Sequence, residues 1–227
     1  MTMPFGYVSP EQAMKDRADF ARKNVARGRP LVALQFDEGM LLCAENPSRT
    51  LHKISEIYDR IAFAGVGKYN EFDGLRTAGI RIADLKGYQY SREDVDARAL
   101  ANAYAQYLGQ IFTHEMKPLE VEILVVEVGF EPEGDRLFHI LYDGTVVDEQ
   151  NFSVLGGDAD TIAERLRSRF ESGMDKPAAL RAAVASLSGD DHALGATDVE
   201  AAILRRHDGR RAFTRISGEE VGQLIAQ

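Results

Sequence analysis

The chain has 227 residues, of which 44% are apolar and 28% are charged, a composition typical of an ordinary globular protein with one domain. Its net charge of −9 disfavours nucleic acids and anionic membranes as partners, because both bind basic surfaces. The sequence has no membrane-spanning apolar run, no secretion signal and a single cysteine, so a cytoplasmic location is expected.

The sequence predicts that the chain divides into an N-terminal arm, residues 1–9, and a single domain, residues 10–227. Met1–Val8 shows no periodicity, which predicts an extended arm. Ser9-Pro10-Glu11-Gln12 combines an N-cap serine, a first-turn proline and a capping-box glutamine, and Gly28 can close the other end of a helix. The sequence therefore predicts a helix over Pro10–Arg27.

The apolar seam of this helix is narrow and consists mainly of small residues. Its members follow one another at spacings of four, three and four residues: Met14, Ala18, Ala21 and Val25. Such a seam cannot nucleate a core, but it can lie in a groove between neighbouring subunits. A peripheral helix on its own domain is an equally good interpretation.

The next segment, Leu31–Glu45, is predicted to be a two-stranded ribbon around a short connection, Asp37-Glu38-Gly39. Hydrolases that carry their nucleophile on the first residue of such a strand need Thr, Ser or Cys there. Here Gly28-Arg29-Pro30 precedes the strand, and Cys43 lies deep within the ribbon. The ribbon therefore has the form of a hydrolase scaffold that lacks its nucleophile.

Hairpin-linked strands alternate with pairs of helices along the rest of the chain. The predicted strands are Lys53–Tyr58, Ile61–Gly67, Val121–Phe130, Leu137–Tyr142, Val146–Leu155, Val199–Arg205 and Arg211–Ile216. Helices are predicted along Phe72–Ile82, from Ser91 through Leu100–Ile111, near Asp160–Arg169, along Lys176–Leu187 and after Ser217. Hairpins imply antiparallel sheets, and unbroken apolar runs imply strands covered on both faces. These features predict an α+β fold, a four-layer α-β-β-α sandwich of two antiparallel sheets.

Two glycine motifs do not support phosphate binding. Gly65-Val66-Gly67-Lys68 has alanine at position 62 and tyrosine at position 69, where a phosphate-binding loop needs glycine and a hydroxyl residue. Gly156-Gly157-Asp158 precedes a helix, but Asp158 already supplies the negative charge that a helix start favours. Neither motif predicts a bound nucleotide, and close packing or a plain turn explains the glycines.

Metal-binding and nucleic-acid-binding patterns are missing as well. The five histidines and Cys43 lack the spacing of metal ligands, so no metal and no cofactor are expected. The only basic cluster contains Arg205, Arg206, Arg210 and Arg211. In an acidic protein we interpret it as a solvated or subunit-contacting face.

Glu45 and Lys53 form the most informative pair. They lie at the end of one predicted strand and the start of the next, so they can meet beside the start of the ribbon. There they would lower the pKa of a nucleophile, but the sequence offers none. Lys53 can instead hold a peptide carboxylate, because it presents a positive charge and three donors. A surface ion pair is the alternative.

Five blocks of residues between Ser9 and the last helix closely resemble the proteasome α subunits of actinobacteria. In chain order, they are Ser9–Met14, Ala44–Arg49, Lys53–Arg60, Gly67–Phe72 and Lys117–Glu122. The resemblance implies a sandwich of the N-terminal-nucleophile hydrolase type and a seven-membered α ring at each end of a barrel. It also implies that this chain has no catalytic residue, because the threonine nucleophiles belong to the β subunits.

The same resemblance implies three roles for named residues. The arm would narrow the axial opening as a gate composed of Phe5, Gly6, Tyr7, Val8, Ser9 and Pro10. The helix Pro10–Arg27 would pack at ring contacts through its small-residue seam. Lys53 would receive the C-terminal carboxylate of a ring-shaped ATPase activator. The implied partners are further copies of the chain, proteasome β subunits, the ATPase and unfolded protein substrates.

Two other functions stay open at this stage. One is an autonomous amidohydrolase of the same fold, with a nucleophile exposed by processing of the chain. The other is a stand-alone peptide-binding module that uses the Lys53 region without forming a ring.

Overall fold

A computed structural model of the chain describes residues 9–189, 192–207 and 209–226. Within these ranges the elements are, in order, α1 (Pro10–Ala26), β1 (Leu31–Phe36), β2 (Gly39–Glu45), β3 (Ile54–Tyr58), β4 (Ile61–Gly67), α2 (Tyr69–Gln89), α3 (Ala97–His114), β5 (Val121–Glu127), β6 (Arg136–Ile140), β7 (Val146–Glu149), β8 (Phe152–Leu155), α4 (Ala159–Arg167), α5 (Lys176–Leu187), β9 (Val199–Arg205), β10 (Phe213–Ile216) and α6 (Gly218–Ile225). Among the described residues, no helix combines the length and apolar character that crossing a membrane requires.

The strands form two antiparallel five-stranded sheets. One sheet has the order β10-β9-β2-β1-β8 and the other β3-β4-β5-β6-β7. The predicted ribbon is confirmed as the β1–β2 hairpin, in which Leu31 pairs with Ala44 and Phe36 pairs with Gly39. This hairpin lies inside its sheet, because β8 pairs with β1 and β9 pairs with β2 on the outer sides.

Side-chain alternation along each strand builds three apolar layers. In β1, Leu31 and Ala33 contribute to the core between the two sheets, whereas Val32 and Leu34 face the helices of their own sheet. Helices α4, α5 and α6 cover that sheet, and α2 and α3 cover the other one. The predicted four-layer α-β-β-α sandwich is confirmed, and burial on both faces explains the nearly unbroken apolar runs.

The glycines at the end of β4 allow close packing, as the sequence indicated. A Cβ atom on Gly65 would lie 2.8 Å from the Cγ atom of Phe72, which is a buried residue of α2. Gly67 has a φ of 108°, a backbone conformation that favours glycine. Gly65 therefore lets α2 pack directly against β4, and Gly67 supplies the backbone conformation with which the strand ends, against the backbone of Glu120.

The predicted single strand Val146–Leu155 is wrong. This segment forms two strands in different sheets, since β7 pairs with β6 and β8 pairs with β1. Asn151, between the two strands, has a φ of 66°, a left-handed conformation that interrupts an extended chain. An apolar pattern alone could not show that the chain passes from one sheet to the other here.

The predicted start of α3 is also wrong. Ser91 caps a short 3-10 helix, Arg92–Asp94, whereas Asp96 caps α3 by accepting a hydrogen bond of 2.8 Å from the amide of Ala99. Ser91 and Asp96 are both typical capping residues and lie only five positions apart, so the sequence contained two possible starts for the helix. On α2, Ile82 is exposed and Ala83 takes its predicted place in the core.

The arginine cluster of the β9–β10 region is only partly at the surface. Arg206 is buried, and its guanidinium donates to both carboxylate oxygens of Asp135, at 2.7 and 2.9 Å. Arg211 makes an exposed bidentate pair with Glu56. The expectation of a solvated face is therefore corrected for Arg206, whose pair with Asp135 links the two sheets.

Candidate functional site

The start of β1 lies where the fold would place a hydrolase nucleophile, and no hydroxyl or thiol group occupies residues 28–31. Gly28 ends the turn after α1, and its carbonyl accepts a hydrogen bond of 3.0 Å from the amide of Gly157. Cys43 is fully buried in β2, and burial raises the pKa of its thiol to about 12. This thiol is therefore protonated and unreactive at neutral pH.

Lys53 immediately precedes β3 and lies beside this strand start. Its Nζ atom donates to the backbone carbonyl of Arg29, and its own carbonyl accepts from the amide of Gly65 at 3.1 Å. Burial lowers the pKa of Lys53 to about 8, while the carboxylates of Glu45 and Glu200 act in the opposite direction. The side chain is thus a partly buried cation that is close to losing its proton under mildly alkaline conditions.

Glu45 ends β2 on the same side of the sandwich. Its amide donates to the carbonyl of Pro30 at 3.0 Å, which fixes the residue beside the start of β1. Its Oε1 atom lies 3.4 Å from Nε of Arg29 and 3.7 Å from Nε2 of His192. The structure therefore brings Glu45 and Lys53 to one place and adds an arginine and a histidine to their surroundings.

Sequence reasoning missed Glu200, a residue of β9 that lies 147 positions after Lys53. Its carboxylate accepts hydrogen bonds from the amides of Lys53, at 2.9 Å, and Ile54, at 3.2 Å. Asn46 and Arg215 donate to the same carboxylate, at 2.7 and 2.8 Å. The signal in the sequence was one acidic residue in a mostly apolar strand, and its partners could not be read from spacing.

The seam of α1 is divided between two environments. Ala21 and Val25 are fully or almost fully buried, and α1 packs on β4 and β5 of its own chain. Ala18 is half-buried, and Met14 retains 39% of its surface. The expectation that Ala21 and Val25 contact a neighbouring subunit is therefore corrected, because they are already covered within the chain.

The gate residues Phe5, Gly6, Tyr7 and Val8 lie outside the described residues. Ser9 and Pro10 are described, and they form the start of α1 as the sequence predicted. The Ser9 side chain accepts a hydrogen bond of 3.2 Å from the amide of Gln12, and Pro10 is the first helical residue.

The described residues contain no group of three or more His, Cys, Asp and Glu side chains that could hold a metal ion. His139, on β6, instead pairs with Glu122 at 3.0 Å. His52 lies 3.3 Å from the Glu200 carboxylate at the Lys53 site. The site as a whole places the Lys53 cation beside the start of β1, together with Arg29 and the carboxylates of Glu45 and Glu200.

Comparison with known proteins finds similarity along nearly the whole chain. A family model described as "Proteasome subunit" matches residues 25–203. A protein named proteasome subunit alpha from Acidimicrobium ferrooxidans is 60% identical over 225 residues, which cover 99% of this chain and 97% of that relative. Proteins of the same name from Thermomonospora curvata and Streptosporangium roseum are 53% and 52% identical over 229 residues. These alignments cover 100% of this chain, and 99% and 88% of the two relatives.

Proposed function

This chain belongs to the proteasome subunit family as an alpha subunit, and we propose that it forms the outer, seven-membered ring of a self-compartmentalised protease. In this proposal the ring restricts the admission of unfolded protein substrates, and it binds the C-termini of a ring-shaped ATPase at Lys53. The chain itself does not cleave peptide bonds, and proteolysis belongs to the β subunits with which it assembles.

The observation that carries the docking role is the position of Lys53. Its cation is held at the start of β1, in a place that a hydrolase of this type would use for chemistry. Arg29 lies at the same place and Glu45 balances part of the charge. A free peptide carboxylate is a suitable ligand, because a partly buried ammonium group offers it both charge and hydrogen bonds.

Exposed apolar side chains support the ring role. On α2, Leu85 is 56% exposed and Tyr88 is 89% exposed. On α3, the other helix of this layer, Tyr107 is 52% exposed. Ile82 and Tyr107 also line a groove of about 360 Å³ between α2 and α3. Apolar surface of this kind is typical of a protein that is covered by partners in its assembled form.

One reconstitution tests both docking and gating. Particles are assembled from this chain, its β subunits and the ring ATPase, with wild-type chain, Lys53→Ala, or a deletion of residues 2–8. Lys53→Ala should abolish ATPase-dependent protein degradation while leaving the cleavage of short peptides unchanged. Deleting residues 2–8 should raise ATPase-independent peptide cleavage several-fold, because the proposed gate is then absent.

Lys176→Ala is the matched control for the lysine substitution, because Lys176 pairs with Glu220 in the helical layer formed by α5 and α6. It should leave both activities unchanged. Wild-type degradation by the Lys53→Ala particle would contradict the docking role. Unchanged peptide cleavage after the deletion would contradict the gate, and each result is independent of the other.

A further inference from the structure

The carboxylate of Glu200 is the centre of the hydrogen bonds that surround Lys53. It lies in a side chain that is only 9% exposed, and it accepts from the consecutive amides of Lys53 and Ile54. Arg215 donates to the carboxylate at 2.8 Å and, through its other terminal nitrogen, to the carbonyl of Ile54 at 2.7 Å. Two strands of one sheet, β9 and β10, thus hold the beginning of β3 in the other sheet.

Asn46 extends this arrangement to the loop before Lys53. Its Nδ2 atom donates to Glu200 at 2.7 Å and to the carbonyl of Leu51 at 2.7 Å. The loop that carries Lys53 is therefore fixed on both sides of the lysine, at residue 51 and at residue 54. Hydrogen bonds to a charged group in a poorly hydrated site are the strong ones, so Glu200 contributes most to this restraint.

We propose that Glu200 is a positioning residue for carboxylate recognition, which it supports by holding the Lys53 backbone so that the ammonium group stays at the start of β1. This inference rests on the proposed docking role of Lys53. In this proposal Glu200 does not itself contact the bound peptide. Its carboxylate already accepts hydrogen bonds from several donors, and its negative charge would repel an incoming carboxylate.

Glu200 also acts on Lys53 through charge. Its negative charge favours the protonated lysine, as does that of Glu45 on β2, whereas burial and the guanidinium of Arg29 favour the neutral form. His52 and Arg215 are the other charged or titratable groups against the Glu200 carboxylate. Loss of the Glu200 charge should therefore lower the pH at which Lys53 loses its proton.

The experiment measures the binding of a fluorescein-labelled decapeptide, the last ten residues of the ring ATPase, to assembled particles by fluorescence anisotropy. The peptide is used with a free C-terminal carboxylate and as its C-terminal amide, over pH 6 to 9. Wild type and Lys53→Ala define the docking function. Glu200→Gln is the test variant, and Glu127→Gln is its matched control.

Glu127 is a suitable control because its carboxylate also accepts a backbone amide, that of Ala97 at 2.9 Å. It lies far from Lys53 along the sheet: Glu127 pairs with Ile61, the first residue of β4, whereas Lys53 bonds to Gly65 near the end of that strand. We expect Glu200→Gln to weaken binding of the free acid roughly tenfold to a hundredfold, the factor that corresponds to a lost hydrogen bond to a charged group. The midpoint of the pH profile should also shift downward, which general loosening of the fold would not produce.

The outcomes separate the two proposals. If the wild-type particle does not prefer the free acid to the amide, or if Lys53→Ala keeps that preference, the docking function itself is wrong. If the preference depends on Lys53 but Glu200→Gln binds with wild-type affinity and pH midpoint, only the role of Glu200 is overturned.

A second variant covers the case in which Glu200→Gln does not assemble. Glu200→Asp keeps the charge but draws the carboxylate back by one methylene group, so it should weaken binding of the free acid while keeping the pH midpoint near the wild-type value. Wild-type affinity in Glu200→Asp would overturn the proposal as well.

Discussion

At the scale of single residues, the protonation of Lys53 is the property with the most direct consequence. Burial lowers its pKa to about 8, so the side chain is mainly charged at pH 7 and mainly neutral at pH 9. The proposed recognition of a carboxylate needs the protonated form. It should therefore be present below the pKa and be lost as the pH rises through it.

We predict that ATPase-dependent degradation by the assembled particle falls between pH 7 and pH 9, and that peptide affinity falls by up to about tenfold per pH unit above the pKa of Lys53. Lys53→Arg should bind less tightly at pH 7, because its larger guanidinium fits the lysine position poorly. Its pH profile should be flat, since arginine keeps its proton. Degradation rates normalised to peptide cleavage at each pH test this, and a falling profile in Lys53→Arg would assign the pH effect to another group.

The sequence located Lys53 and Glu45 because they lie at the end of one predicted strand and the start of the next, and only a short loop separates them, although the two strands belong to different sheets. It could not locate Glu200 or Arg215. Their hydrogen bonds with the backbone of Lys53 and Ile54 cross from one sheet to the other between residues far apart in the chain, and the packing of two sheets leaves no periodic signal. The same limit applies to Arg206, whose burial depends on the loop that carries Asp135.

At the scale of elements, the pair between Arg206 and Asp135 joins the β9–β10 hairpin to the start of β6. Both side chains are buried, with 3% and 6% exposed. Asp135 also accepts from the amide of Gly129, at 2.9 Å, and from the side chain of Gln35, at 2.8 Å. Removal of one partner would leave the other as a buried charge without its ion-pair partner, which the remaining neutral hydrogen bonds offset only in part.

We predict that Arg206→Met lowers the free energy of unfolding by about 3–5 kcal/mol, because it leaves the buried Asp135 carboxylate without its ion-pair partner. The double variant Arg206→Met with Asp135→Leu should recover much of this loss, since neither buried charge is then present. Denaturant unfolding of the isolated chain measures both. Arg211→Met is the control, because it breaks an exposed pair with Glu56 and should cause a much smaller change. Equal losses in the single and double variants would contradict the argument.

Helix α1 shows what periodicity can and cannot predict about an element. The capping residues and apolar spacing correctly predicted a helix from Pro10, and the structure ends it at Ala26. The same spacing could not show which neighbour covers each apolar residue. Val25 is covered by the chain's own sheet, whereas Met14 remains open to a neighbour.

At the scale of the whole molecule, hairpin signals and unbroken apolar runs predicted both the antiparallel sheets and the four layers. The passage of the chain between sheets at Asn151 was not predicted, although the polar run Asp148–Asn151 separates the apolar residues of β7 from those of β8. Assembly is likewise invisible to a pattern within one chain. It is indicated instead by the apolar surface that the folded chain leaves exposed on α2 and α3.

This exposed surface leads to a prediction about assembly. Leu85 and Tyr88 lie three residues apart on α2, so they occupy one side of the helix, and both are more than half exposed. Leu85→Glu should leave the stability of the isolated chain within about 0.5 kcal/mol, because an exposed side chain contributes little to the fold. It should prevent or strongly reduce assembly with the β subunits, since the new carboxylate would be buried without a partner at a subunit contact.

Asn102→Asp, which adds the same charge at an exposed position of α3 without removing apolar surface, is the control. Native mass spectrometry of the co-expressed chains measures the assembly, and complete particles from Leu85→Glu would show that this face of α2 is not a subunit contact.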